Sequence, residues 1–284
     1  MLEMLLNPRK AERESWEMFF VGLVYASISI LLVNWIFAQD PVLSKYSGMI
    51  VVTFCVMFWL PFMYYLIKYE EERDIKAEGM FKLLLDHRKA VYALLWLFLG
   101  LVVAFSFWYI VLSSPQNFKA QIETYCSINR PNNFNDCVAQ YGVKGAKATA
   151  FLTSREKLFL IFANNMYVLI FTLVFSLIFG AGAIFVLAWN VSVIAAAVGI
   201  FTKQNLSNLP FGIMRYMVHG IPEIASYFVV ALAGGIISVA VVKHDIHSEK
   251  FWNILQDSLN LIIAAVVILF IAALIEVFIT PMLF

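Results

Sequence analysis

The chain has 284 residues, of which 62% are hydrophobic and 14% are charged, and its mean hydropathy is +0.82. Soluble domains carry about 25% charged residues, so this composition excludes an ordinary soluble fold. The net charge of +1 gives no excess of Lys and Arg for binding a nucleic acid. These values indicate a protein whose main partner is the lipid bilayer.

Seven segments are long and apolar enough to cross a bilayer, which requires about 20 mostly apolar residues. They lie at about 17–39, 47–67, 90–113, 158–180, 183–202, 221–242 and 260–280. The sequence therefore predicts an all-α, polytopic transmembrane helical bundle of about seven helices.

The chain between Lys203 and His219 is too polar to span a membrane and too apolar to be free in water. We expect an interfacial or re-entrant segment there, before the sixth helix. Pro222 is expected to begin that helix, because a proline at the first helical position lacks only an N–H that would have no partner.

Basic residues indicate the orientation of the bundle. The N-terminal stretch and the loops 68–89 and 243–259 carry 11 of the 20 Lys and Arg residues, whereas the short connection 40–46 carries only Lys45. The positive-inside rule then predicts a multi-pass protein of the cell membrane with its N-terminus in the cytoplasm and its C-terminus outside.

Two parts of the chain differ in character. Residues 1–89 are expected to form an N-terminal amphipathic helix, a transmembrane hairpin and a charged cytoplasmic loop, and residues 90–284 a five-helix core. The charged loop at 68–89 has two interpretations: a solvated connector, or a docking surface for a soluble partner.

The loop 114–157 is expected outside the membrane and is a second possible surface for partners. It contains Cys126 and Cys137, with ten residues between them, whereas Cys55 lies within a membrane segment. Two cysteines in one translocated loop favour a disulfide, and closing a loop of this size contributes about 3 kcal/mol in the chain-entropy description. The Asn and Gly residues of the loop predict irregular structure.

Small residues are frequent in the fourth to sixth segments, where they allow membrane helices to approach closely. Gly180-Ala181-Gly182 predicts a tight hairpin between two of these segments. Whether the small residues serve packing within one chain or a homo-oligomer stays open.

Polar side chains from several helices are expected at one depth near the outer side. A rise of 1.5 Å per helical residue places most of them within about 12 Å of the outer helix ends, whereas Asn190 is expected nearer the middle of its segment. The members of this polar cluster are Asn164, Asn165, Asn190, His219, Glu223 and Glu276, with Arg215 as a possible partner of an acid. Ionisable groups inside a membrane are costly and frequently functional, although a structural pair is an equally good interpretation here.

Several short motifs occur in a characteristic order. They are Asn164-Asn165, Gly180 and Gly182, Asn190, HGIPEIA at 219–225, Gly234-Gly235, and IEVFITP at 275–281. In order and spacing they resemble the stage II sporulation protein M family over residues 90–284, and the N-terminal residues resemble its archaeal-type branch. The resemblance implies the helical core and the polar cluster, but it does not imply a role in sporulation.

Three functions are compatible with these features. The first is a non-enzymatic membrane scaffold or assembly component that uses the two loops, and the second is a channel or transporter that uses the polar cluster. The third is an intramembrane hydrolase using Glu223 or Glu276, but the chain lacks HExxH and GxSxG motifs. We favour a non-enzymatic role, assign no catalytic residue and predict no cofactor.

Metal binding has one candidate motif, His244-Asp-Ile-His247. Its two histidines have metal-like spacing, but they are expected in a cytoplasmic turn with no further ligand. We therefore predict no metal site.

Overall fold

The computed structural model describes residues 8–37, 40, 42–73, 80–112, 115–129, 134–142, 154–202, 205–243 and 247–284. These residues form helices and turns, with no β-strand among them. The helices are α1 Pro8–Arg13, α2 Met18–Phe37, α3 Ser47–Arg73, α4 Met80–Leu112, α5 Lys119–Asn129, α6 Phe134–Gly142, α7 Ser154–Phe179, α8 Ala183–Phe201, α9 Leu209–Lys243, α10 Glu249–Leu274 and α11 Thr280–Leu283.

Six stretches of the described chain have the length and apolar composition needed to cross a membrane. One of them, Lys157–Phe201, contains both α7 and α8. The chain turns between them at Gly180, whose φ of +57° is readily adopted only by glycine. The described chain thus holds seven membrane-length helices, and the predicted all-α polytopic bundle is confirmed.

The centre of the bundle is formed by α9 and α4. In the most apolar part of each stretch, 72% of the residues are buried for α9 and 67% for α4. The corresponding fraction for the stretch that contains α10 is 28%. Trp59, Phe62 and Phe105 are among the largest fully buried side chains. Because α3 supplies the first two of them, residues 1–89 and 90–284 share one hydrophobic core.

Helices α2 and α4 touch through their backbones. A Cβ atom built on Gly100 would lie 2.0 Å from the carbonyl oxygen of Phe19, and one built on Gly22 would lie 2.2 Å from that of Leu97. Such contacts are the reason why small residues occur where membrane helices cross.

Helix α9 differs from the prediction at its start. Residues 209–219, expected in an interfacial or re-entrant segment, form the first turns of this continuous helix, and Pro222 lies in its interior instead of at its first position. Tertiary contacts explain the difference, because Gly212 is buried against Thr202 and Val198. A turn capped by the Asn205 side chain leads into the helix.

The bundle has two chemically distinct ends. We call one the disulfide end, because it carries the bond between Cys126 and Cys137, whose Cα atoms are 5.7 Å apart. The other is the charged end, where Lys243 pairs with Glu71. The described part of the loop 114–157 is not irregular, since it forms α5, α6 and the first residues of α7.

Helix α5 is fastened to the bundle by Gln121. Its Nε2 atom donates to the carbonyl oxygen of Gly48, at 2.9 Å, and to the hydroxyl of Ser192, at 3.2 Å. Helix α5 therefore rests directly on the first turn of α3 and on the middle of α8.

Candidate functional site

The polar cluster lies toward the disulfide end, where α7, α9 and the segment after α10 meet. Four polar side chains of α9 follow at intervals of four residues, which makes each a neighbour of the next. In chain order they are Arg215, His219, Glu223 and Tyr227. Pro222 interrupts the backbone bonding of this helix, because it has no N–H to donate to the carbonyl of Val218.

The segment after α10 is also irregular. Residues Ile275–Ile279 form a π-helix that contains Glu276, and short π-helical turns are frequent at functional sites. Pro281 follows, and it cannot donate to the carbonyl of Val277. In addition, the Thr280 hydroxyl donates to the carbonyl of Ile275, at 3.2 Å.

Glu223 is hydrogen-bonded to a side chain of its own helix. The Tyr227 hydroxyl donates to its Oε1 atom at 3.1 Å, and the Asn165 side chain of α7 lies beside the same carboxyl. The Oδ1 atom of Asn165 accepts from Asn164 at 3.3 Å. The asparagine pair of α7 thus faces the Glu223–Tyr227 pair of α9.

His219 links α9 to the π-helical segment. Its Nδ1 atom lies 3.1 Å from the hydroxyl oxygen of Thr280. Because that hydroxyl donates to Ile275, it accepts from Nδ1–H, and the lone pair of the neutral ring is then on Nε2. The Nε2 atom lies 4.0 Å from Oε1 of Glu276, which is too long for a direct hydrogen bond.

Solvent and lipid reach the two members of this pair to different extents. The side chain of His219 is 13% exposed and that of Glu276 is 30% exposed. The carboxyl of Glu276 is therefore the more accessible group of the loose His219–Glu276 pair.

Arg215 does not pair with either acid, contrary to the possibility that the sequence suggested. Its Nη1 atom donates to the main-chain oxygen of Phe284 at 3.2 Å. Its guanidinium carbon lies 4.8 Å from the centre of the Phe201 ring, within cation–π distance. Arg215 thereby fastens the segment after α11 to the start of α9.

Asn190 bonds within its own helix. Its Nδ2 atom donates to the carbonyl of Val186 at 2.8 Å, one turn earlier in α8. The structure thus brings Asn164, Asn165, His219, Glu223 and Glu276 together, while the bond of Asn190 stays inside α8.

Sequence reasoning missed the hydroxyl groups of the cluster. Tyr227 lies four residues after Glu223, and that spacing on a helix brings side chains together, so it was a usable signal. Thr280 bonds instead to His219, 61 residues away in the chain, for which the sequence carried no such signal.

A further tyrosine joins the cluster to the disulfide end. Tyr216 of α9 is hydrogen-bonded to Tyr125, the residue before Cys126. The sequence carried no comparable signal for this contact, since the two tyrosines are far apart in the chain.

The charged end contains a second set of buried ionisable groups, which the sequence placed in a solvated loop. Glu70 and His87 bond at 2.5 Å with side chains only 0% and 5% exposed. Lys243 lies 2.7 Å from Glu71, whose side chain is 2% exposed. These residues are buried because α3 and α4 extend beyond their predicted ends and pack against α9.

Metal binding has little structural basis among the described residues. They contain no group of three or more His, Cys, Asp or Glu side chains arranged to hold a metal ion. Of the predicted pair, His247 is described and His244 lies outside the described residues.

The fold and the cluster define a multi-pass helical membrane protein with ionisable groups shared among three helices. A family model described as stage II sporulation protein M matches residues 48–281. The chain therefore belongs to the stage II sporulation protein M family, as its motifs predicted. The match begins in the first turn of α3 and includes every residue of the polar cluster. No curated protein and no solved structure matches the chain.

Proposed function

We propose that this protein is a non-enzymatic membrane scaffold or assembly component. The observation that carries the proposal is how the polar cluster is bonded. Glu223 accepts from Tyr227 with Asn165 beside it, and His219 bonds to Thr280. In this proposal the cluster is an interhelical clamp and holds no substrate.

The clamp joins α7, α9 and the π-helical segment. A typical hydrogen bond inside a protein contributes about 0.5–1.5 kcal/mol to stability. A scaffold needs such rigidity, because its partners must meet surfaces held in one arrangement.

Partners would bind at the two ends of the bundle. With the N-terminus in the cytoplasm, as the basic residues predict, the charged end faces the cytoplasm and presents the exposed side chains of Arg88 and Lys89. The disulfide end then faces the exterior. Apolar side chains on α7, such as Phe171 and Ile178, are exposed and would contact lipid or a second copy.

The test separates the clamp from the partner surface. We expect R88E/K89E to abolish crosslinking to a partner in native membranes without changing the unfolding temperature. We expect E223Q and E276Q to lower the unfolding temperature and to leave the crosslinked species unchanged below it. Crosslinking with affinity purification and thermal unfolding in detergent are the two measurements.

Glu123→Gln is the control for the loss of a carboxylate, since Glu123 is 41% exposed at the same end as the cluster. The scaffold proposal fails if E276Q abolishes crosslinking while the protein stays folded. It also fails if the wild-type protein carries an ion across liposome membranes.

Transport is the second candidate, and one feature favours it. The helix interruption at Pro222 and the π-helix at 275–279 flank the pair of His219 and Glu276. Irregular backbone beside intramembrane ionisable groups is common in transporters. Proton flux into liposomes that stops in folded E276Q, but continues in E123Q, would favour transport over the scaffold.

A further inference from the structure

A pocket of about 310 Å³ lies at the charged end, between α3, the turn after α7 and α9. Ligand pockets usually measure about 300–1,000 Å³. Its walls are mainly apolar and are lined by Tyr64, Ile67, Phe179, Ala181, Val239 and Val242.

The pocket is open at the surface of the bundle. Phe179 is 65% exposed and Val242 is 85% exposed, and both lie in the last turns of membrane-length helices. A lipid of the adjoining leaflet would meet the apolar walls beside the ends of these helices.

Two lysines lie at the polar rim of the same pocket, Lys68 and Lys243. Lys68 is exposed and forms no ion pair within the described chain. The Nζ atom of Lys243 lies 2.7 Å from Glu71 and 3.6 Å from Glu72. Because an ammonium group has three donors, Lys243 keeps one donor for a further anion.

We propose that this pocket binds one anionic phospholipid, with an acyl chain against the apolar walls and the phosphate between Lys68 and Lys243. Basic pockets between membrane helices are typical sites for anionic lipid headgroups. The proposal is independent of the scaffold function, since it uses neither the polar cluster nor the surface at Arg88 and Lys89.

Native mass spectrometry of the full-length protein tests it, with phosphatidylglycerol as the anionic probe and phosphatidylcholine as the zwitterionic one. We expect tighter binding of phosphatidylglycerol. K68Q should weaken that binding about fivefold. This factor corresponds to the free energy that one lysine near a membrane surface contributes to binding an anionic lipid. K250Q is the matched control, because Lys250 is exposed near the charged end but does not line the pocket.

A second pair of variants tests the walls. V239W fills the pocket, whereas V241W places the same side chain two residues away on α9, outside it. Only V239W should reduce phosphatidylglycerol binding. E72Q should strengthen that binding, because Glu72 is 57% exposed and competes with the phosphate for Lys243.

Three results would overturn the proposal. Equal losses in K68Q and K250Q would show that only total charge matters, and equal binding of the two lipids would show a general lipid contact. A dimer that dissociates in V239W, with lipid binding unchanged, would assign the pocket to a second copy. K68Q is chosen over a change at Lys243, because Lys68 has no ion pair to lose in the described chain, whereas Lys243 pairs with Glu71.

Discussion

Glu223 shows at the scale of one residue why the sequence located the cluster but not its chemistry. A carboxyl among apolar helices is costly unless it is hydrogen-bonded, so its position could be identified from composition alone. Its donor, Tyr227, lies four residues later on the same helix, whereas Asn165 reaches it from α7. The neighbour on the second helix depended on packing.

Replacing Tyr227 with Phe should destabilise the protein by about 1–3 kcal/mol, because a buried acceptor loses its donor while the ring is kept. The Tyr227 side chain is fully buried. Unfolding in detergent, followed by circular dichroism, measures the effect. Y167F is the control: Tyr167 is 65% exposed on α7, so its change should stay within about 0.5 kcal/mol. Equal effects of the two variants would contradict the clamp.

Asp40 stabilises the connection between α2 and α3 through local hydrogen bonds. Its carboxylate accepts from the N–H groups of Leu43, at 2.7 Å, and Val42, at 2.8 Å. These backbone hydrogen bonds hold the pKa of Asp40 below its ordinary value. Since the folded-state pKa is the lower one, the stabilisation is present above the unfolded-state pKa and is lost as the pH falls through the folded-state pKa.

We therefore expect the unfolding temperature of D40N to fall less than that of the wild type as the pH is lowered. Comparison of wild type and D40N by thermal unfolding, from neutral pH down to about pH 3, where an ordinary Asp is mostly protonated, is the measurement. Identical profiles would show that Asp40 does not act through its charge.

At the scale of the helix, two glycines differ in what surrounds them: one lies against a neighbouring backbone and the other has room for a side chain. Gly100 faces the carbonyl oxygen of Phe19 in α2, whereas a Cβ on Gly220 would meet only the end of the flexible Met217 side chain, at 3.3 Å. The sequence shows both glycines but does not show which of them lies at a helix crossing.

G100A should destabilise the bundle by about 1–3 kcal/mol through overpacking. G220A should be neutral or stabilise α9 by up to about 1 kcal/mol, because glycine is unfavourable inside a helix. The same unfolding assay in detergent compares the two variants. A destabilisation by G220A as large as that by G100A would argue against the close crossing of α2 and α4.

Helix α9 shows where element prediction failed and why. The proline rule placed the helix start at Pro222, but a helix in a bundle can tolerate an interior proline when neighbouring helices support it. Buried contacts of Leu209, Gly212 and Met217 extend the helix through residues whose composition alone favours an interface.

At the scale of the whole molecule, the two ends of the bundle differ in chemistry. The disulfide end is fixed by covalent and hydrogen-bonded contacts of α5, and the charged end by the buried His87–Glu70 pair and the partly exposed Lys243–Glu71 pair. This asymmetry suits a protein that presents different surfaces on the two sides of a membrane.

The disulfide gives a labelling prediction. The folded, unreduced protein should react with a membrane-permeable thiol reagent at none of its three cysteines, since Cys126 and Cys137 are bonded and Cys55 is buried. Reduction followed by unfolding should make all three reactive, as mass spectrometry would show. Immediate labelling of Cys126 or Cys137 would refute the bond.

The number of membrane helices, the turn at Gly180 and the family membership could be predicted from the sequence by itself. Each depends on local properties: the apolar length that a bilayer requires, a short glycine turn, and motifs read along the chain. Only the tertiary structure decided which groups the acids contact and how far α9 extends. His219 meets Thr280 across 61 residues, and Lys243 meets Glu71 across 172. Contacts over such separations arise from helix packing, which local sequence patterns do not specify.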